Sequence, residues 1–170
     1  MQRIARFEFV SKERFVHDWI DTFGGAEESA EAVYRNLKKP KRATSGSAGY
    51  DFYAPMDITL APGETIKIPT GIRAWMAEGW VLTCYPRSGL GFKFRLQLNN
   101  TVGIIDSDYY YSDNEGHIFA KITNDSNEGK TLQVCAGDGF VQGIFLPFGI
   151  TEDDDTSEKR NGGFGSTTKK

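Results

Sequence analysis

Beyond residue 41 the apolar positions of this chain fall in short or alternating runs, each cut off by Gly, Pro, Asn or Asp: 50–54, 58–60, 65–68, 71–76, 80–85, 96–98, 117–123, 131–134 and 140–148. A period of two sends one side of a run into a core and the other toward water. These runs therefore predict strands, and many short strands separated by turn signals predict an all-β sandwich or jelly roll. Pro62-Gly63, Glu78-Gly79, Glu128-Gly129 and Gly137-Asp138-Gly139 are the expected tight turns. The N-terminal portion reads differently. Residues 4–10 alternate as a further strand with Ile4, Phe7 and Phe9 facing inward. Residues 25–39 are rich in Ala and Glu, with Glu27 and Glu28 in the first turn, Lys38 and Lys39 at the end and Pro40 as the stop. Those charges suit the two ends of a helix dipole, and Val33 and Leu37 supply a modest apolar stripe, so 25–39 predicts an inserted packing helix.

At 170 residues the chain fits one domain whose core needs no disulfide or metal staple. Lys and Arg total 20 against 23 Asp and Glu, a net charge of −3, which argues against general nucleic-acid affinity and makes any phosphate site local. Cys84 and Cys135 lie far apart, which predicts free thiols in a reducing compartment, and His17 and His117 are too few for a multi-histidine metal centre. The start, Met1-Gln2-Arg3-Ile4-Ala5-Arg6, lacks the apolar core of a signal peptide, and no stretch approaches membrane-spanning length. The expectation is a soluble cytoplasmic protein without membrane partners. Residues 1–150 read as a β domain. Residues 151–170 read as an acidic, polar linker followed by a Gly-rich arm.

Five segments carry candidate chemistry. Thr44-Ser45-Gly46-Ser47-Ala48-Gly49-Tyr50-Asp51 feeds a strand that holds Asp51 between aromatic neighbours, where a carboxylate needs a partner or a task. Pro86-Arg87-Ser88-Gly89-Leu90-Gly91 offers a guanidinium fork, a hydroxyl and flexible glycines suited to phosphate oxygens. In Asn99-Asn100-Thr101-Val102-Gly103-Ile104-Ile105-Asp106-Ser107-Asp108-Tyr109, Asp106 follows an apolar run and should sit at a strand end, as a general base for water. The amide of Asn100 matches the donor and acceptor edge of a pyrimidine, and Tyr109 offers a ring to stack on a sugar. Gly137-Asp138-Gly139-Phe140-Val141-Gln142 is a turn leading into a strand with an amide, Gln142, in its apolar sequence. Arg160-Asn161-Gly162-Gly163-Phe164-Gly165-Ser166-Thr167 has no apolar segment after it, so it is neither a P-loop nor a dinucleotide fingerprint. Its ring, hydroxyls and cations suit stacking on a base and wrapping phosphates.

In this order the five segments resemble the five motifs of the trimeric dUTPase family, over residues 43–168. The resemblance implies a distorted jelly-roll or β-barrel fold of the β-clip kind, with the N-terminal helix as an insertion. It implies hydrolysis of dUTP to dUMP and pyrophosphate, which limits uracil in DNA and supplies dUMP for thymidylate synthesis. It also implies Mg²⁺ held mainly by the substrate phosphates, and a homotrimer whose active sites are shared between subunits. By the same resemblance Asp106 activates the attacking water. Asn100, Gly103 and Ile105 frame the uracil, and Tyr109 packs under the deoxyribose and excludes a 2′-hydroxyl. Arg87, Ser88 and Gly89 hold phosphates. Asp51 and Gln142 order the metal's water shell. Arg160, Phe164, Gly165, Ser166 and Thr167 close over base and phosphates.

Three departures from the family pattern stand out. Gly139 occupies a place commonly held by Arg, the stretch Tyr110-Tyr111-Ser112-Asp113-Asn114 lengthens a hairpin, and the last motif is one residue shorter between Arg160 and its glycines. Two other readings accompany the resemblance. One is a dUTP-binding regulatory protein with weak catalysis. The other is a dCTP deaminase, which would place a Glu where this chain has Lys121.

Overall fold

The computed structural model describes residues 2–158. Its strands are β1 (Ala5–Phe9), β2 (Lys41–Arg42), β3 (Tyr50–Tyr53), β4 (Ile58–Leu60), β5 (Thr65–Pro69), β6 (Ile72–Met76), β7 (Trp80–Pro86), β8 (Leu96–Leu98), β9 (Gly103–Ile105), β10 (Phe119–Asn124), β11 (Leu132–Val134) and β12 (Gly139–Pro147). They pair antiparallel in four small sheets, ordered β2-β3-β12-β7-β9, β5-β10-β8, β1-β6 and β11-β4. This is the expected all-β, jelly-roll-like architecture, and the expected strand bounds hold to within about two residues. Gly63, Gly79, Gly129 and Gly137, in the four expected turns, all take positive φ.

The main core gathers the inward side of each strand. Phe52, Ile68, Leu82, Ile122, Leu132 and Phe140 are each at most 2% exposed. In β10 the alternation is plain: Ala120, Ile122 and Asn124 are buried, and the intervening residues are not. The same alternation decides where chemistry falls on the five-stranded sheet. Phe52 and Val141 pair across β3 and β12 and face the core, so their paired neighbours Asp51 and Gln142 face the other way.

The N-terminal portion departs from expectation. Where one helix over 25–39 was expected, there are two, α1 (Lys12–Phe23) and α2 (Glu27–Arg35). Helix α1 is capped by Ser11, whose hydroxyl accepts from the Arg14 amide at 3.1 Å, and its Phe15, Val16 and Trp19 are buried. These three pack with Val10 and with Ala30 of α2 into a second core, flanked by Val33, Tyr34 and Leu37. Burying Phe15 completely stabilises this unit by about 2–3 kcal/mol. Helix α2 stops at Asn36, short of Pro40, because Asn36 caps it by donating from its side chain to the Ala32 carbonyl. In β1, Phe7 and Phe9 pack against the main core and Ile4 is only half-buried. The buried residue of that stretch is Val10.

Candidate active site

The first cavity, about 250 Å³, opens beside β9 and β10 and is lined by Asn100, Gly103, Ile105, Asp106, Tyr109 and Phe119, with Cys84, Leu98 and Ile118 among its deeper walls. Asp106 stands directly after β9, as its apolar run predicted, and is half-buried. Its carbonyl accepts from the Tyr109 amide at 3.2 Å and so starts a 3₁₀ turn over Ser107–Tyr111. Tyr109 is 6% exposed, and its ring orientation is fixed from two sides. The phenol donates to the His117 carbonyl at 2.7 Å and accepts from the Asn114 amide at 2.8 Å. Gly103 permits β9 to lie close to β7, since a Cβ there would stand 3.0 Å from the Cys84 Cβ. Burial pushes the Cys84 thiol up to about 12, so it serves as an apolar wall and not as a nucleophile.

The residues that lengthen the hairpin are a built structure. The chain turns back at Gly116, which has φ +69°, and a Cβ there would meet the Tyr109 carbonyl oxygen and the Tyr110 Cα, both at 2.7 Å. The Asn114 side chain spans the turn, accepting from the Gly116 amide at 3.1 Å while donating to Tyr109.

The second cavity, about 600 Å³, is lined by Gly49, Asp51, Arg87, Ser88, Gly89, Asp138, Gly139 and Gln142. Arg87 follows β7 and precedes helix α3 (Ser88–Phe94), a helix the sequence reading did not anticipate. Its Nε lies 3.2 Å from Asp51 Oδ1, an ion pair that supplies the partner a strand carboxylate needs. Gln142 donates from Nε2 to the Pro86 carbonyl at 3.1 Å, which turns its oxygen over Gly49. A Cβ on Gly49 would stand 2.7 Å from that oxygen. Gly139 is contact-limited too: its Cβ would meet Arg87 Nη1 at 3.0 Å and Arg87 Cδ at 3.1 Å. An arginine here, as in the motif this segment resembles, would displace Arg87 from its present place. Asp51 and Gln142 are partners in the ladder, both on the face of the sheet that lines this cavity. Among the described residues no group of three His, Cys, Asp or Glu is placed to hold a metal ion directly.

The two cavities therefore divide the expected residues. Asp106, Asn100, Gly103, Ile105 and Tyr109 line one, while Asp51, Arg87, Ser88, Gly89 and Gln142 line the other. The division follows from strand alternation, because the first cavity is walled by Phe52 and Val141 and the second by Asp51 and Gln142, their neighbours on the same two strands. Arg160, Phe164, Gly165, Ser166 and Thr167 lie outside the described residues. Sequence reasoning did not single out Cys84, Ile118 and Phe119 as pocket walls, since apolar strand residues look alike until the register is known. Nor did it find Asp18, whose contact with His117 depends on a helix it did not expect.

A jelly-roll-like β fold with a carboxylate beside a nucleoside-sized pocket and a guanidinium in a separate polar cavity defines a nucleotide hydrolase of the dUTPase class. The family model described as dUTPase matches residues 35–168, and the chain belongs to that family. It is 46% identical over 139 residues to the deoxyuridine 5'-triphosphate nucleotidohydrolase of Lactococcus lactis subsp. lactis (strain IL1403), covering 79% of this chain and 91% of the relative. The crystal structure of dUTPase from Streptococcus mutans superposes with a TM-score of 0.62 at 36% identity, covering 86% of this chain and 98% of that one. A mutant dUTPase from phage phi11 of S. aureus, described with a structural Mg(II) ion, shares the fold with a TM-score of 0.63 at 20% identity, covering 92% of this chain and 98% of that one.

Proposed function

We infer that this chain hydrolyses dUTP to dUMP and pyrophosphate by attack of water on the α-phosphorus. The observation that carries this reading is the pairing, in a dUTPase-family chain, of a strand-end carboxylate beside a fixed tyrosine with a polar cavity built around Arg87. Asp106 takes a proton from the attacking water. Tyr109, held by His117 and Asn114, presents its ring to the deoxyribose and leaves no room for a 2′-hydroxyl. Asn100 and the backbone of Gly103, Ile105 and the opposing strand read the uracil edge. Arg87, Ser88 and Gly89 bind the phosphates and oppose the charge that develops on the leaving pyrophosphate.

The cofactor of this reading is Mg²⁺ carried by the triphosphate, with Asp51 and Gln142 reaching its water shell. When bound it neutralises phosphate charge and favours departure of pyrophosphate. The active unit is a homotrimer in which the nucleoside pocket of one subunit meets the phosphate cavity of another. This is supported by the two half-sites lying on opposite faces of one sheet, where one chain cannot offer both to one small ligand. Residues 1–150 are the β domain and 151–170 the closing arm, with Phe164 over uracil and Arg160, Gly165, Ser166 and Thr167 on the phosphates. The family match, which runs to residue 168, supports that role. The working compartment is the cytoplasm. Among the described residues no helix is long and apolar enough to cross a membrane.

The test is product analysis with each deoxynucleoside triphosphate in Mg²⁺. The expected result is pyrophosphate and dUMP from dUTP alone. Tight dUTP binding without pyrophosphate release, or uracil products from dCTP, would overturn the reading.

A further inference from the structure

We propose that Asp18, on helix α1 and outside the 35–168 family match, is a positioning residue for the nucleoside pocket that acts through His117 on Tyr109; this rests on the dUTP-hydrolase reading. His117 has no exposed surface, and both of its ring nitrogens are engaged. The Gly71 amide donates to Nε2 at 2.8 Å, so Nε2 bears no proton and the proton sits on Nδ1. Nδ1 lies 2.6 Å from Asp18 Oδ2 and donates to it. Burial alone would raise the Asp18 carboxyl, but hydrogen bonds from His117 and His17 and the nearby Arg14 hold it at about 2, so it remains an anion and a constant acceptor. Burial holds the imidazole below its ordinary value against the pull of Asp18.

The ring anchors a peptide that the site uses. The carbonyl of His117 receives the Tyr109 phenol, and its amide donates to the Asn114 carbonyl at 3.1 Å. The next residue, Ile118, lines the nucleoside pocket. If the ring were free to turn, that carbonyl and the tyrosine on it would be free to shift.

Asp18 is the buried member of a wider clasp. Ser11 donates to Glu115 twice, from its amide at 2.7 Å and its hydroxyl at 2.6 Å. Arg14 reaches the Asp113 carbonyl at 3.3 Å, and the Tyr110 phenol donates to Glu8 at 2.6 Å. The N-terminal unit thus grips the same stretch that lengthens the hairpin. A longer hairpin has more conformations to lose, and the clasp fixes one.

The test compares Asp18→Ala and Asp18→Asn with wild type in kcat and KM for dUTP and UTP, with melting temperatures and histidine ¹⁵N spectra. Asp18→Ala should raise the dUTP KM about tenfold, change kcat less than about twofold, and erode the kcat/KM preference for dUTP over UTP by about tenfold. Asp18→Asn, which keeps a neutral acceptor for Nδ1, should recover most of both. An Asp18→Ala protein with a lowered melting temperature but wild-type KM and dUTP preference would overturn the proposal. Wild-type protein without dUTP hydrolysis would refute the activity and not the positioning. In that case an unchanged His117 tautomer and unmoved Tyr109 ring signals in Asp18→Ala would overturn the positioning by themselves.

Discussion

The two half-sites on the five-stranded sheet are built by opposite strategies. The nucleoside pocket is set into the core: Tyr109 and His117 are buried and their polar atoms are hydrogen-bonded to Gly71, between β5 and β6, and to Asp18 of α1 as well as within the hairpin itself. The phosphate cavity is open, and its Arg87 side chain is 45% exposed, with one carboxylate contact and an amide for company. Discrimination of a neutral base and sugar depends on shape, so those walls must be rigid before the ligand arrives. Binding a charged triphosphate depends on field and reach, which a water-facing guanidinium supplies without a packed frame. Mutations on the two faces should therefore fail in different ways.

The largest effect should come from Asp106, the residue proposed to take a proton. Asp106→Asn is expected to lower kcat by about 10³ while dUTP binding persists, measured by pyrophosphate release and calorimetry. Loss of binding instead would mean that the acid shapes the pocket more than it moves protons. On the open face, Arg87→Ala should cost about 10² in kcat/KM with the melting temperature little changed, because a half-exposed ion pair contributes little to folding. The pre-built face should fail through folding. Gly116→Ala must adopt positive φ against two backbone contacts at 2.7 Å and should lose about 2 kcal/mol of stability by denaturant unfolding. If Gly116→Ala kept its stability and lost only turnover, the contrast would be wrong. Gly139→Ala crowds a side chain that is free to move outward, and should raise the dUTP KM only about threefold.

The smallest effect concerns pH. His117 is faced by Asp18, Arg14 and Glu115, and its folded value lies below the ordinary 6.5, so the unfolded chain takes up a proton first on acidification. Its contribution to stability is whole above 6.5 and declines as pH falls below it. Asp18, lowered from 3.8 to about 2, contributes fully above 3.8 and is lost as pH falls toward 2. Thermal melts should show a decline below pH 6.5 that persists in Asp18→Ala, where the imidazole loses the pull of its carboxylate, and a further decline below pH 3.8 that is missing from that variant. A flat profile in wild type would contradict the neutral buried imidazole.

Much of the β architecture could be read from alternation and glycine turns because each strand carries its own signal, as in the Ala120, Ile122, Asn124 register of β10. Asp106 was legible for the same reason, standing just past Gly103-Ile104-Ile105. Helix α1 was equally legible and went unread: Phe15, Val16, Trp19, Ile20 and Phe23 recur at spacings of three and four, and Ser11 ahead of Arg14 is a usable cap signal. The Asp18 to His117 contact joins residues 99 positions apart, and no local pattern encodes it. The division of the site into two faces also emerged only with the pairing of Asp51 to Gln142 and Phe52 to Val141, since motif order carries no information about which side of a sheet a residue takes.

The claim that one subunit's nucleoside pocket works with another's phosphate cavity is tested most directly by mixing. Asp106→Asn and Arg87→Ala, each strongly impaired alone, are combined in equal amounts, unfolded together and refolded. A site now works wherever an intact Asp106 from one chain meets an intact Arg87 from another, which predicts recovery of about one quarter of wild-type dUTP hydrolysis. No recovery from a correctly refolded trimer would contradict the account, because it would place both half-sites of each active centre within a single chain.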